Sequence, residues 1–266
     1  MITFETLVDQ AKERGMPTTK MRGILREYLQ ILILKEIYNI ESGRKLFFTG
    51  GTYLRLINNL KRFSEDLDFN AQDMSKEEFE ELVNIVSSKL SKIGLSTKVK
   101  FNHWQNLFVA KVIFDEVEGF YGIKSKYSKK TGIVIKIEVN NPSWKIIKES
   151  EIITGFGQFY PCICTDKGIL FADKIDALIK KNRARHIYDI IFMLANHYSV
   201  NEELLRVYSI KVAPFDAIIN RMEEFSDEEL KKYAESLRPF LFDENEADFI
   251  INAKQFVKAL IDKYKK

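Results

Sequence analysis

Two aspartates, Asp66 and Asp68, lie one residue apart in the segment RFSEDLDF, inside an apolar run. Side chains alternate across a strand, so both acids are predicted on one face, with Phe63, Leu67 and Phe69 on the other. Two carboxylates this close repel each other unless a cation lies between them. Mg²⁺ typically binds one or two carboxylates together with water and substrate phosphates. The pair therefore predicts a site for Mg²⁺ or Mn²⁺, with Asp66 and Asp68 as metal ligands.

A glycine pair precedes these acids in the chain. The segment KLFFT (45–49) is predicted as a strand, Gly50 and Gly51 follow it, and a helix is predicted to begin at Thr52 and to run through Leu60. A glycine turn before a helix start offers backbone N–H groups to an anion, without a Cβ in the way. Gly50, Gly51 and Thr52 are therefore candidate residues for binding nucleotide phosphates. The alternative for Thr52 is a plain helix cap.

A third acid, Glu138, lies in the segment GIVIKIEVN (132–140). This segment is predicted as a strand with its isoleucines and Val139 on one face and Glu138 with Lys136 on the other. Three carboxylates from two neighbouring strands could hold two metal ions, which would activate an attacking oxygen and stabilise a leaving phosphate. The alternative is a solvent-facing Glu138 that pairs with Lys136 or with a lysine of a neighbouring strand.

The helical C-terminal part offers cations. Lys174 lies at the edge of the apolar stripe of ILFADKIDALIKK, from where it could reach the triphosphate of a bound nucleotide. Arg185 and Asp189 are four residues apart on one face of the next predicted helix. By composition alone these are surface charges or a surface ion pair, which contributes little to stability.

The order of strand-like and helix-like periodicity predicts an α+β fold. Helices are predicted at 4–14, about 20–40, 52–60 and 75–93, and strands at 45–49, 62–70, 95–101, 107–115, 132–140 and near 158–164. Beyond Gly168 the pattern is helical. We therefore predict a nucleotide-binding α/β domain with N-terminal helices over 1–165 and a helical domain over 166–266 that packs against it.

Composition restricts the class of protein. The chain has 266 residues, 45% of them hydrophobic, and a formal net charge of +3, so a nucleic-acid surface would need local clustering of charge. One such cluster is YGIKSKYSKKTG, in which Tyr121 and Tyr127 alternate with four lysines, and it predicts either a solvated hairpin loop or a contact with phosphates. The chain offers no apolar run of membrane-spanning length and no signal peptide. The cysteines Cys162 and Cys164 lie one residue apart, and we interpret them as two small strand residues of a protein in a reducing environment. We expect a cytoplasmic protein without a membrane partner.

The motifs GGTYLRL, RFSEDLDF, IKIEV and FADKIDALIKKNRARHIYDI, in this order, resemble those of the AbiEii-type nucleotidyltransferase toxins of type IV toxin–antitoxin systems. The resemblance runs from about residue 20 to the C-terminus. It implies a polymerase-beta-like catalytic domain with a mixed sheet flanked by helices, followed by a C-terminal helical region. It also implies an NTP substrate, an RNA acceptor such as the 3′ end of a tRNA, and a possible cognate antitoxin.

The resemblance implies a role for each candidate position. The turn at Gly50, Gly51 and Thr52 would bind nucleotide phosphates, and Asp66 and Asp68 would bind metal. Glu138 stands at a third-acid position where aspartate is common. Lys174 would contact phosphate, and Asp189 would be needed for activity. His186 replaces the usual first aspartate of the final motif, and Arg183 and Arg185 could add positive charge beside the nucleotide.

Two other functions remain open from the residues. A nucleotidyltransferase that modifies a small molecule such as an antibiotic would use the same acids and the same turn. A binding platform for RNA or protein could keep the fold without activity, although a degenerate member would be expected to lose one of Asp66, Asp68 or Lys174, and all three are present.

Overall fold

The computed structural model describes residues 1–123 and 132–264, which form two compact units, Met1–Thr165 and Asp166–Lys266. Outside the described residues lie five members of the basic cluster, namely Lys124, Lys126, Tyr127, Lys129 and Lys130. The phosphate contact considered for this cluster stays a prediction. None of the helices in the described ranges combines the length and the apolar character that a bilayer crossing requires.

The first unit is built on a sheet of seven strands. They are β1 Leu46–Thr49, β2 Leu67–Ala71, β3 Lys98–Trp104, β4 Leu107–Phe114, β5 Ile133–Asn140, β6 Lys148–Gly155 and β7 Gln158–Thr165. Their order is β3-β4-β5-β2-β1-β7-β6. The pairs β2–β5 and β1–β7 are parallel and the other neighbouring pairs are antiparallel, so the sheet is mixed.

The helices of this unit are α1 Phe4–Glu13, α2 Met21–Tyr38, α3 Gly50–Leu56, α4 Lys76–Lys92 and the short α5 Val117–Phe120. Helix α4 begins with a capping box between Ser75 and Glu78 and buries one apolar face. Helices α2 and α4 pack against each other and against the sheet. The core beneath them is formed by sheet residues such as Phe48, Phe69 and Ile137, which are almost fully buried.

A buried ion pair fixes α3 on α2. Arg55 donates from Nε to Glu27 Oε2 at 2.8 Å and from Nη2 to Glu27 Oε1 at 3.1 Å, and both side chains are only 2% exposed. Arg14 donates to the same carboxylate at 3.1 Å. Since α3 begins at the glycine pair, this cluster determines where the glycine turn lies on the sheet.

Several local predictions differ from the structure. Helix α3 covers Gly50–Leu56 rather than 52–60, and β3 covers Lys98–Trp104 rather than 95–101. Strand β2 covers Leu67–Ala71 rather than 62–70, so Asp66 lies just before the strand and not within it. Strand β3 begins late because the turn that ends α4 extends to Leu95, whose N–H donates to the Leu90 carbonyl at 3.0 Å. Strand β6 was not predicted, since it is an outer strand of mostly polar residues in which only Ile153 is buried.

The second unit is helical in its described residues. Its helices are α6 Lys167–Lys180, α7 Ala184–Ala195, α8 Glu202–Val207, α9 Pro214–Glu224, α10 Asp227–Leu237, α11 Asp248–Ile251 and α12 Ala253–Tyr264. Asp166 caps α6 by accepting the N–H groups of Gly168 and Ile169 at 2.9 and 3.1 Å. The predicted α+β fold, with a mixed sheet flanked by helices and a helical C-terminal region, is confirmed.

Candidate active site

Asp68 and Glu138 lie directly opposite each other on adjacent strands. The parallel pairing of β2 with β5 places their Cα atoms in register, and the antiparallel pairing of β1 with β2 places Thr49 opposite Asp68. Residues in register project to the same face of a sheet. Thr49, Asp68 and Glu138 therefore form a row on the face turned away from the buried Phe69 and Ile137.

Lys136 connects Asp66 to Glu138. Its Nζ lies 3.3 Å from Asp66 Oδ2 and 2.9 Å from Glu138 Oε1. Burial by itself would lower the pKa of Lys136, but the hydrogen bond to Glu138 and the attraction of Asp66 outweigh it and raise that pKa. The ion pair between Glu138 and Lys136 is the alternative that the sequence left open, and the structure contains it.

The acids fit a divalent cation only after a rearrangement. Within residues 1–123 and 132–264, no three His, Cys, Asp or Glu side chains are grouped so as to hold a metal ion. The Lys136 ammonium instead takes the position between Asp66 and Glu138 that a cation would have. The donors are nevertheless hard carboxylate oxygens that already bind a positive charge, which is the chemistry that Mg²⁺ prefers. A metal at these two carboxylates would have to displace Lys136 Nζ.

This competition predicts an effect of replacing Lys136 with methionine. We expect the variant to bind Mg²⁺ roughly tenfold more tightly than the wild type, because a positive charge that opposes the metal is removed. The measurement is the Mg²⁺ dependence of the Tm of the nucleotide-free protein. Lys111→Met is the matched control, since Lys111 lies opposite Lys136 on β4 and forms no ion pair with a described carboxylate. Equal Mg²⁺ affinity in both variants would contradict the competition.

The glycine turn lies against Asp68 and has no room for side chains. Gly50 has φ +80°, a conformation that other residues rarely adopt, and a Cβ at this position would overlap the Asp68 carboxylate. A Cβ at Gly51 would lie 2.7 Å from Arg62 Nη2 and 2.9 Å from Ser64 Oγ. The turn and the acid pair therefore share one location.

Thr52 lies inside α3 and not at its cap. The helix begins at Gly50 with Thr49 as its N-cap residue, so the predicted capping role of Thr52 is wrong. Thr52 is fully buried, and its hydroxyl donates to the backbone carbonyl of Asp66. The side chain thus positions the segment that carries Asp66, and a phosphate contact by Thr52 stays a prediction.

The segment that leads into β2 is held by residues that the sequence did not single out. Arg62 is buried and donates from Nη1 to the Phe63 carbonyl at 3.1 Å. From α2, Gln30 donates to the Ser64 carbonyl at 3.2 Å, and Arg26 pairs with Glu65 at 2.9 Å. The available signal was the RFSED segment itself, in which an arginine and a serine directly precede the acids.

In the second unit, Lys174 and Asp189 form a buried ion pair. Lys174 Nζ donates to Asp189 Oδ2 at 2.7 Å, and the side chain of Asp189 is fully buried. The surface pairing considered between Arg185 and Asp189 is therefore wrong, because α7 turns Asp189 inward towards α6 while Arg185 stays partly exposed. Arg183 is exposed just before α7.

His186 is buried beside this pair. Neither ring nitrogen has a hydrogen-bond partner in the described part of the chain. Burial, together with the positive charge of Lys174, lowers the pKa of His186 to about 3. The ring is therefore neutral at physiological pH.

The lowered pKa predicts how His186 responds to acid. We expect its imidazole to stay neutral down to about pH 4, a signal that NMR can assign with His186→Asn because the chain has 3 histidines. Since the unfolded state takes up a proton near pH 6.5, the contribution of neutral His186 to stability is complete above that pH and is lost as pH falls towards 3. Burial raises the pKa of Asp173 to about 6, so the contribution of Asp173 to stability increases as pH falls, opposite to that of His186. A His186 that titrates at its ordinary pKa would contradict the burial.

The fold is that of nucleotidyltransferase toxins. MenT4, a nucleotidyltransferase toxin from Mycobacterium tuberculosis H37Rv, is 17% identical and superposes with a TM-score of 0.60 over 98% of this chain and 90% of its own. JHP933 from Helicobacter pylori is also 17% identical, with a TM-score of 0.52 over 92% of this chain and 94% of its own. At this identity the likeness shows the fold.

The family follows from the sequence match. The family model described as nucleotidyl transferase AbiEii toxin, type IV toxin–antitoxin system, matches residues 32–259. The chain belongs to this family and is a nucleotidyltransferase, which confirms the resemblance drawn from the motifs. A comparison with curated proteins gives no match. Membership implies an NTP substrate and a cognate antitoxin.

Proposed function

We propose that this toxin transfers a nucleotide from an NTP, bound with Mg²⁺ or Mn²⁺, to a hydroxyl of RNA such as a tRNA 3′ end, and thereby arrests growth. The observation that carries the proposal is the position of Asp68, which lies opposite Glu138 and against the turn at Gly50. A ligand whose phosphates lie on this turn brings its reacting phosphorus close to the acids.

The proposed roles follow from this arrangement. The backbone at Gly50 and Gly51 binds phosphate oxygens, since no Cβ prevents their approach. As the acceptor hydroxyl oxygen bonds to the α-phosphorus, its proton passes to Asp68 or Glu138, the bond from the α-phosphorus to the bridging oxygen breaks, and pyrophosphate leaves. A divalent cation held by Asp66, Asp68 and Glu138 would supply charge neutralisation and lower the pKa of the hydroxyl.

For the second unit we propose the roles that the family implies. Lys174 would offset charge on the nucleotide phosphates, and Asp189 would hold the ammonium group in place through the buried pair. Arg185, partly exposed on the first turn of α7, would add a nucleotide contact. Lys174→Met and Asp189→Asn each test this, with loss of transfer as the expected result.

The acceptor is tested by label transfer. The protein is incubated with each of the four NTPs, labelled at the α-phosphate, together with either total RNA or aminoglycosides. We expect label in RNA and none in the aminoglycosides. Label in the small molecules alone would establish the antibiotic-modifying alternative, and failure to bind any triphosphate with Mg²⁺ would favour a binding platform.

The proposed growth arrest is tested in cells. Inducible expression should stop growth and alter the mass of tRNA 3′ ends, whereas Asp68→Asn expressed to the same level should do neither. Growth arrest by the Asp68→Asn variant would contradict a catalytic origin of toxicity.

A further inference from the structure

Three lysines lie side by side across the sheet of the first unit. Lys100 of β3 is in register with Lys111 of β4, and Lys111 is in register with Lys136 of β5. Neighbouring strands are about 4.8 Å apart, so this lysine row spans roughly 10 Å. Like charges directly opposite each other destabilise a sheet, so the lysine row lowers the stability of the fold. A bound anionic ligand would offset this repulsion.

The lysine row lies on the same face as the acids. Lys136 and Glu138 are two residues apart on β5 and project to the same side. On β3 the opposite side is covered by α4, where Phe101 lies 6.1 Å from Phe79 between ring centroids. The side chains of Lys100 and Lys111 are exposed. The row therefore runs from the outer strand β3 to the site at Lys136.

The row is not balanced by carboxylates along its length. Lys136 pairs with Asp66 and Glu138, but within residues 1–123 and 132–264 no carboxylate lies at ion-pair distance from Lys100 or Lys111. By contrast Lys98, two residues from Lys100, pairs with Asp115 at 2.5 Å.

Protection of an outer strand does not explain the row. Lysines often prevent an exposed strand edge from pairing with another chain, which would account for Lys100 on β3. Lys111, however, lies on β4, which has a partner strand on both sides. A lysine there adds repulsion without protecting an edge, so a binding function explains it better.

An exposed aromatic side chain shares this face. Trp104 ends β3, four residues after Lys100, and is 59% exposed. Rows of positive charge with exposed aromatic rings bind single-stranded nucleic acids, because lysines contact phosphates and rings stack on bases.

We propose that the exposed side chains of Lys100, Lys111 and Trp104, on the face of β3, β4 and β5 that also carries Glu138, bind the single-stranded end of an RNA acceptor and lead it towards Asp68 and Glu138. This assignment rests on the proposed function for the acceptor class. It requires neither the NTP nor the metal, since the row and the tryptophan contact only the acceptor.

The test is the binding of a fluorescently labelled single-stranded RNA to the full chain without NTP, followed by anisotropy over a range of salt concentrations. Lys111→Gln is expected to weaken binding about threefold to tenfold at low salt and to reduce the slope of log K against log salt by about 0.7. Its Tm should not fall, because removing Lys111 relieves repulsion on both sides. Lys92→Gln is the matched control: Lys92 is exposed at the end of α4, on the covered side of the sheet.

A second variant separates stacking from charge. Trp104→Ala is expected to weaken binding about tenfold while leaving the salt slope unchanged, because stacking does not release counterions. Equal affinities for wild type, Lys111→Gln and Trp104→Ala would overturn the proposal, and so would no RNA binding by the wild type. If only the proposed function is wrong, the protein will still bind RNA in a way that depends on Lys111, but it will transfer no label to the RNA.

Discussion

Asp68→Asn is expected to reduce nucleotide transfer by about a thousandfold or more, since it removes the charge that lies opposite Glu138 and against the glycine turn. The fold should be retained. Asparagine has the same shape, and replacing a carboxylate directly opposite Glu138 removes repulsion between like charges. The measurement is the initial rate of label transfer at saturating NTP, together with the Tm of each protein.

Asp73→Asn is the matched control for this prediction. Asp73 follows β2 in the same segment, is exposed, and has φ +58°, which asparagine tolerates well. The control should keep wild-type transfer. Transfer by Asp68→Asn within tenfold of the wild-type rate would contradict the role assigned to Asp68.

Glu27→Gln is expected to lower the free energy of unfolding of the first unit by about 3–5 kcal/mol, because it removes the negative charge that the buried guanidinium of Arg55 binds. Arg14 loses this carboxylate charge as well and keeps its hydrogen bond to the Thr154 carbonyl. The chain has 2 tryptophans, Trp104 and Trp144, and both belong to the unit Met1–Thr165. Urea unfolding followed by tryptophan fluorescence therefore reports on this unit.

Glu65→Gln provides the comparison for the buried pair. Glu65 also pairs with an arginine of α2, but its side chain is 39% exposed. Solvent screening limits the expected loss to less than about 1 kcal/mol. Equal losses in the two variants would contradict the claim that burial makes the Glu27 cluster decisive for α3.

Strand alternation is local, so parity alone predicts Asp68 and Glu138 on the polar sides of their strands, and the structure has these two residues in register. The same parity argument was applied to Asp66, which lies just before β2. The roles of these acids stay predictions. Parity does not give strand order, so the lysine row, which requires β3, β4 and β5 to be neighbours in one register, was not predicted. A pair between Glu138 and Lys136 was considered as the alternative to metal binding, but the contact of Lys136 with Asp66 was not predicted.

Long-range contacts account for the remaining differences. The local sequence predicts Thr52 as a helix cap. The contact of its hydroxyl with the Asp66 carbonyl depends instead on how α3 packs on β2. The local sequence predicts Asp189 as a surface acid, but the packing of α7 on α6 buries it against Lys174. In each case the side chain is polar and the local pattern contains no information about the partner that buries it.

The most direct test of the central claim is a crystal structure of the protein with Mn²⁺ and a non-hydrolysable NTP analogue, with the metal located by its anomalous signal. We expect a metal about 2.1 Å from carboxylate oxygens of Asp66 and Asp68, the phosphates on the backbone of Gly50 and Gly51, and Lys136 displaced from Asp66. A metal bound elsewhere, or phosphates away from the glycine turn, would contradict the account.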